Sequence, residues 1–159
     1  MAPQTPYSRH LDGRDPLLVM RETIPAISNA VDGWTPEQFE RAVAPGKWTA
    51  RQVVIHLAQT ELALGTRSRM ALTKPGFVAS SFDQDKWLAR ELGISGPDAV
   101  HVFVALASLN LALYASLTSA DRETPLTHDE YGPMTVDWII HQEAGHQVHH
   151  LEQLTRLGK

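Results

Sequence analysis

The segment that most constrains this fold is the last one, 134-MTVDWIIHQEAGHQVHHLEQLTRLGK-159. Ile139, Leu154 and Leu157 recur in it at helical spacing, and His146 and His150 fall on the same stripe, four residues apart. Residues at i and i+4 share one face of a helix, with Cβ atoms about 5–6 Å apart. Such a stripe has to be covered by other elements. Two neighbouring imidazoles buried with it need hydrogen bonds or another partner. The chain therefore has to provide more helices and something for the imidazoles to bind.

The other helices can be read in order. Residues 1–14, with Pro3, Pro6 and Gly13, form an N-terminal arm. Asp15-Pro16 is an N-cap followed by proline at the first helical position, and Leu17, Leu18, Ile24, Ile27 and Val31 carry the stripe to Gly33. Pro25 is expected to kink this helix. Thr35-Pro36 repeats the cap signal for one or two turns. Thr49 and Gln52 form a capping box for a second long helix, with Val53, His56, Leu57, Thr60 and Leu64 at helical spacing, ended near Lys74 by Pro75-Gly76. Residues 77–82 read as a loop and 83–92 as a short helix capped by Asp83. Ser95-Gly96-Pro97 opens a third long helix, expected to reach Asp121. Residues 122–133 read as a polar loop, and the fourth helix starts near Thr135. No strand pattern longer than a few residues is visible. The reading is all-α: one domain over residues 1–159, a four-helix bundle with short extra helices in its connections.

Composition narrows the chemistry. The 159 residues are 43% apolar and 20% charged, with a net charge of −4 and no basic run, which argues against a nucleic-acid partner. No stretch is read as approaching the roughly 20 apolar residues that span a bilayer. The N-terminus shows no signal-peptide pattern, so a cytoplasmic location is expected. Cysteine is absent. That removes disulfides, thiolate nucleophiles and zinc–cysteine sites, and leaves imidazole and carboxylate as the strong metal donors.

Three histidines have the right setting. His56 lies among Val53, Leu57, Thr60 and Leu64, and His146 and His150 lie on the last helix. Facing helices of a bundle build metal sites, and neutral imidazole suits zinc, nickel, copper and iron. Three protein ligands with an open position is the pattern of a catalytic ion. Each histidine has an ordinary alternative as a core residue held by hydrogen bonds. Glu143, with His146, makes one E-x-x-H; it is a candidate fourth ligand or support for a ligand and the only protein general base worth testing, with an ordinary polar helix residue as the alternative. His149 is the better alternative ligand and His141 is peripheral, while His10, His101 and His128 read as incidental. Thr60, Trp87 and Asn110 are nominated for the substrate pocket, and Gln153 as support for a ligand imidazole. The sequence holds no H-E-x-x-H, no G-x-S-x-G and no glycine-rich phosphate loop.

With these residues in place, the chain resembles the DinB-like superfamily, the group that includes the YfiT-type metal-dependent hydrolases. The resemblance rests on 48-WTARQVVIHLAQTE-61 and 146-HQVHHLEQL-154, with 83-DQDKW-87 as a further similar segment. It implies an up-down-down-up four-helix bundle and a divalent ion, zinc or nickel, on His56, His146 and His150. It also implies an enzyme acting on a small molecule, with thiol S-transfer as the leading reaction: the ion would take a low-molecular-weight thiol into its open position and favour the thiolate. Hydrolysis by a water in that position is the alternative. A non-catalytic metal or small-molecule binding protein, dimeric through exposed helix faces, is the third reading.

Overall fold

A computed structural model describes residues 2–158; Met1 and Lys159 lie outside the described residues. The element order is α1 (Ser8–Leu11), α2 (Pro16–Ala30), α3 (Pro36–Phe39), α4 (Ala50–Thr73), β1 (Val78–Ala79), α5 (Gln84–Arg90), α6 (Gly96–Ser116), α7 (Ser119–Arg122), β2 (Pro125–His128), β3 (Gly132–Thr135) and α8 (Val136–Leu157).

The helix starts are set locally. Asp15 accepts from the N–H groups of Leu17 and Leu18 at the start of α2. Thr35 with Gln38, and Thr49 with Gln52, close full capping boxes. Asp83, Ser95 and Thr135 cap α5, α6 and α8 through their side chains. Each cap satisfies amide donors that the helix cannot pair internally. Pro25 lies inside α2 without ending it.

The four long helices form a four-helix bundle. Around it the order is α2, α8, α4, α6, so α2 and α4 face each other diagonally, as do α6 and α8. Side-chain bonds fix one direction and one crossing point. Glu61 and Ser68 of α4 meet Asn110 and Tyr114 of α6, so these neighbours run parallel. His56 and Glu61, in the first half of α4, meet His146 and Gln147 near the middle of α8. The diagonal placement makes the α2–α4 and α6–α8 connections cross an end of the bundle, and the parallel run of α4 and α6 makes the connection between them return along its length. Phe103, Leu57, Met20, Ile27 and Ile139 fill the centre and are fully buried.

Three expectations need correction. The third long helix stops at Ser116 rather than Asp121, because Leu117 is extended and Thr118 caps a separate turn, α7, with Asp121. The segments read as loops at 77–82 and 122–133 contain strands. Val78–Ala79 pairs parallel with Thr127–His128, and β2 pairs antiparallel with β3. These strands are two to four residues long and carry Pro125, Gly132 and Pro133. They are too short to show a period of two, and β1 is held by a partner some fifty residues away. Finally, α6 has the length and apolarity of a bilayer-crossing segment, with a mean hydropathy of 1.7 over its apolar window. One face of it packs in the bundle, and Val102 and Leu109 on the other are exposed.

Candidate metal centre

His56 enters α4 two turns after its cap, and the Trp48 ring packs on it with centroids 4.8 Å apart. His146 and His150 project from one face of α8. The Nε2 atom of His146 lies 3.0 Å from that of His56 and 3.0 Å from that of His150. All three residues are buried, and one nitrogen from each falls in a common cluster. Nitrogens on a tetrahedral zinc at about 2.0–2.1 Å are themselves roughly 3.3 Å apart, so the cluster is close to the spacing an ion requires.

The donor set can be tested by proton accounting. Gln153 Oε1 lies 2.9 Å from His150 Nδ1, which donates to it and leaves the His150 Nε2 with a bare lone pair. His146 Nε2 has two imidazole neighbours at hydrogen-bond distance and can donate to one at most. Without a cation, one of these short contacts places two lone pairs against each other, or one nitrogen loses its partner. Protonation does not resolve this. Burial holds His56 down to about 4 and His150 to about 3, and burial with the neighbouring imidazoles holds His146 well below its ordinary value. The Nδ1 atoms of His56 and His146 are buried without a partner. Three neutral imidazoles aimed at one point fit a divalent ion.

The cluster opens on one side into a cavity of about 440 Å³. One face of α4 lines it with His56, Thr60, Leu64 and Arg67, and one face of α8 with Trp138, Gln142 and His146. The segment 81–85 closes one side and the β2–β3 hairpin another, through His128 and Tyr131. The arm covers the rest: Tyr7 stands edge-on to the His146 ring at 5.1 Å, and the Trp138 indole donates to the carbonyl of Gln4.

The nominated residues divide. Thr60 lines the cavity, and its hydroxyl is buried without a partner. Gln153 sits where it can orient His150. Trp87 is not in the cavity wall; it packs on Phe82 with centroids 4.5 Å apart and is 38% exposed. Asp85, two residues earlier, faces the cavity instead, and positions two apart on a helix point to different sides. Asn110 is likewise no cavity residue. Its amide nitrogen donates to Glu61 and Glu143, and its oxygen accepts from Arg69.

Glu143 is neither solvated nor within the ligand cluster. It is fully buried beside Glu61, accepts from the Tyr114 hydroxyl at 2.8 Å, and shares a hydrogen bond with the Glu61 carboxyl. Gln147 donates to Glu61, and Thr23 donates to Gln147. Burial raises both carboxyls, and the charge of Glu61 pushes Glu143 higher, so Glu143 keeps the proton and donates it to Glu61. His149 packs on the His150 ring, with centroids 4.8 Å apart, and against Tyr7 and His10, and it contributes no nitrogen to the cluster.

Sequence reasoning missed His128, Asp85, Tyr7 and Arg67. Arg67 alone had a local signal, since the His56, Thr60, Leu64 stripe continues onto it at helical spacing. The others reach the cavity from outside the long helices.

With this geometry in hand, comparison with known proteins is decisive for the family. The profile of the DinB superfamily matches residues 20–154. The chain belongs to the DinB superfamily. Among its relatives, a protein of Oceanobacillus iheyensis named "Putative metal-dependent hydrolase" is 29% identical over 140 residues, covering 84% of this chain and 78% of that one. A second protein of that organism with the same description is 23% identical over 129 residues, covering 80% and 75%. The solved structure of YfiT from Bacillus subtilis, described as "a probable metal-dependent hydrolase with an unusual four-helix bundle topology", superposes with a TM-score of 0.82 at 23% identity. It covers 89% of this chain and 83% of its own, and shows that the DinB member described here has the same fold.

Proposed function

We propose that this protein is a metal-dependent enzyme acting on a small molecule, and that its reaction is hydrolytic. The observation that carries the reading is the convergence of three neutral imidazole nitrogens, from α4 and α8, beside a cavity that His56 and His146 line and that is large enough for a small-molecule substrate. His56, His146 and His150 would hold the ion. Because the set contributes no negative charge, a divalent ion bound there keeps its full charge and lowers the pKa of a nucleophile in its open position. The names of the two relatives from Oceanobacillus iheyensis support the same reading.

The residues around the cluster take the remaining work. Asp85 lines the cavity and is the carboxylate whose field acts on His56. The Trp48 indole N–H donates to it at 3.2 Å, which orients it as an acceptor for the proton of an attacking water. Thr60 offers a free hydroxyl to a substrate one turn above His56. Tyr7 and Trp138 hold the arm over the cavity and limit access of bulk water.

Thiol S-transfer is the second reading, and the cavity has room for it. A volume of about 440 Å³ beside the cluster exceeds what one water needs and leaves room for a thiol cosubstrate. The chain has no cysteine, so the sulfur would come from outside.

Metal analysis of the purified full chain tests the common premise: one divalent ion per chain is expected, and its loss in His150→Ala. A panel of esters, amides and electrophiles, assayed with and without low-molecular-weight thiols, then separates the two reactions. Turnover without thiol, lost in His150→Ala and reduced in Asp85→Asn, is the hydrolytic result. Turnover that requires thiol assigns transfer. Metal-loaded protein inert in both screens overturns the enzymatic reading.

A further inference from the structure

Half-buried in the far wall of the cavity is a guanidinium, that of Arg67. One of its nitrogens donates to the carbonyl of Ser80, and its plane lies over the Phe82 ring at 5.8 Å. These contacts hold the group in place without neutralising it. Among the described residues no carboxylate comes within the 4.0 Å of an ion pair with Arg67. Asp129 and Glu130 act on it only at longer range, and Asp129 already accepts from the Ser81 amide and hydroxyl.

His128 stands in the same wall. Its Nδ1 lies 3.3 Å from an Asp129 carboxylate oxygen but accepts the backbone N–H groups of Glu130 and Tyr131, at 3.1 and 3.4 Å, and these two donors place the ring proton of the neutral imidazole on Nε2. That Nε2–H is buried without an acceptor, in a residue only 3% exposed. A partly desolvated cation and a buried unused donor in one cavity wall both lack the same thing, an anionic oxygen.

We propose that Arg67 and His128 form a carboxylate-anchoring subsite, and that the substrate is a small molecule carrying a carboxylate remote from its reacting group. The proposal rests on the reading of the three histidines as a metal site, since that fixes where the reacting group lies. The remoteness follows from helix geometry. Arg67 is about three turns beyond His56 on the same face of α4, roughly 16 Å of rise. Both residues line the cavity, and the longer side chain of Arg67 can lean back toward the N-terminus of α4, so the gap between guanidinium and cluster is on the order of 10 Å or more. Thr60 sits between them with its free hydroxyl.

Two measurements on the full chain test this. In cobalt-loaded protein, sulfur-to-cobalt charge transfer reports the binding of 6-mercaptohexanoate, 3-mercaptopropionate and the neutral 6-mercaptohexanol. The long carboxylate is expected to bind about tenfold or more tighter than the neutral analogue, and the short carboxylate to gain little. Arg67→Met, which keeps the packing on Phe82, should abolish the preference and leave 6-mercaptohexanol unchanged; Arg67→Lys should restore part of it. Equal binding of the two long thiols, or a preference that survives Arg67→Met, overturns the proposal. In metal-free protein, succinate and inorganic phosphate are titrated while the Arg67 Nε–H and His128 Nε2–H resonances are followed. Saturable shifts with succinate, lost in Arg67→Met, support the subsite whether or not a metal binds. Failure of cobalt to bind, with those shifts intact, sinks the metal reading alone. Absence of shifts, or a response to phosphate in preference to succinate, overturns the carboxylate assignment even when the metal site proves real.

Discussion

Gln153 accepts the Nδ1 proton of His150 at 2.9 Å, one turn further along α8. Among the three clustered imidazoles, His150 is the one whose Nδ1 has a protein partner; those of His56 and His146 have none. The bond selects the tautomer that leaves Nε2 free and fixes the ring plane. Removing such a partner usually costs 10–100-fold in metal affinity. Gln153→Leu is therefore expected to weaken zinc or nickel binding roughly 10–100-fold, measured by competition with a chromophoric chelator. The melting temperature of the metal-free protein should change little, because Gln153 is only half-buried. Unchanged affinity would mean that packing alone orients His150.

The metal-free protein should be acid-labile. Burial holds His56 at about 4 and His150 at about 3, against an ordinary 6.5. The unfolded chain therefore binds protons that the folded chain refuses. Stability is full above about pH 6.5 and declines as the pH falls from there toward the folded values. For a group shifted as far as His56, the loss is roughly 3 kcal/mol by pH 4. Urea midpoints of metal-free protein measured from pH 7.5 to 4.5 should fall steadily, and His56→Phe should flatten the slope. A pH-independent midpoint would contradict neutral burial of these rings.

The Glu61–Glu143 pair should act on the opposite side of the pH scale. A carboxyl raised above its unfolded value adds stability that is complete below that value and lost as the pH climbs through the folded one. Burial and the neighbouring Glu61 raise Glu143 well above the ordinary carboxyl value, so ionising it in the fold carries a cost. Glu143→Gln keeps a donor toward Glu61 and an acceptor for Tyr114, and gives up the long 3.3 Å contact from Asn110. It is expected to raise the melting temperature at pH 8 by about 2–4 °C for about 1 kcal/mol, with little gain at pH 4.5. A fall at pH 8 would show that Glu143 is ionised in the fold.

Gly145 allows the arm to lie on α8. A Cβ there would stand 2.6 Å from the Tyr7 carbonyl oxygen and 2.8 Å from its Cβ. Within a free helix, glycine to alanine stabilises by up to about 1 kcal/mol. Gly145→Ala should instead destabilise the protein, because the backbone of the arm has to move and Tyr7 leaves His146. Hydrogen exchange across residues 5–12 should quicken and limited proteolysis of the arm should increase. A more stable variant with an unchanged arm would remove Tyr7 from the account of the cavity.

The sequence carried the bundle because its long helices are local objects. Caps such as Thr49 with Gln52 and breaks such as Pro75-Gly76 act within a few residues, and the apolar stripe is readable at period 3.6. The H-x-x-x-H pair was visible for the same reason, since one helix sets its spacing. The end of α6 was misplaced because the break at Leu117 has no proline or glycine to mark it. The strands were missed because β1 and β2 take their order from each other, not from their own few residues.

Asn110 and Glu143 show where such a reading stops. Each has the chemistry of a site residue, and which way it faces depends on a neighbouring helix. In the fold they turn toward Glu61 and become parts of a buried polar network. His128 had no local signal at all; the β2–β3 hairpin brings it to the cavity. The sequence by itself determined the helices, their caps and the spacing of His146 and His150, all of which depend on interactions spanning a few residues. Only the tertiary structure decided that His56 meets them, that Asp85 rather than Trp87 faces the cavity, and that Arg67 and His128 share a wall. Those relations depend on how separate elements pack, and packing distances are not written in the order of residues along any one helix.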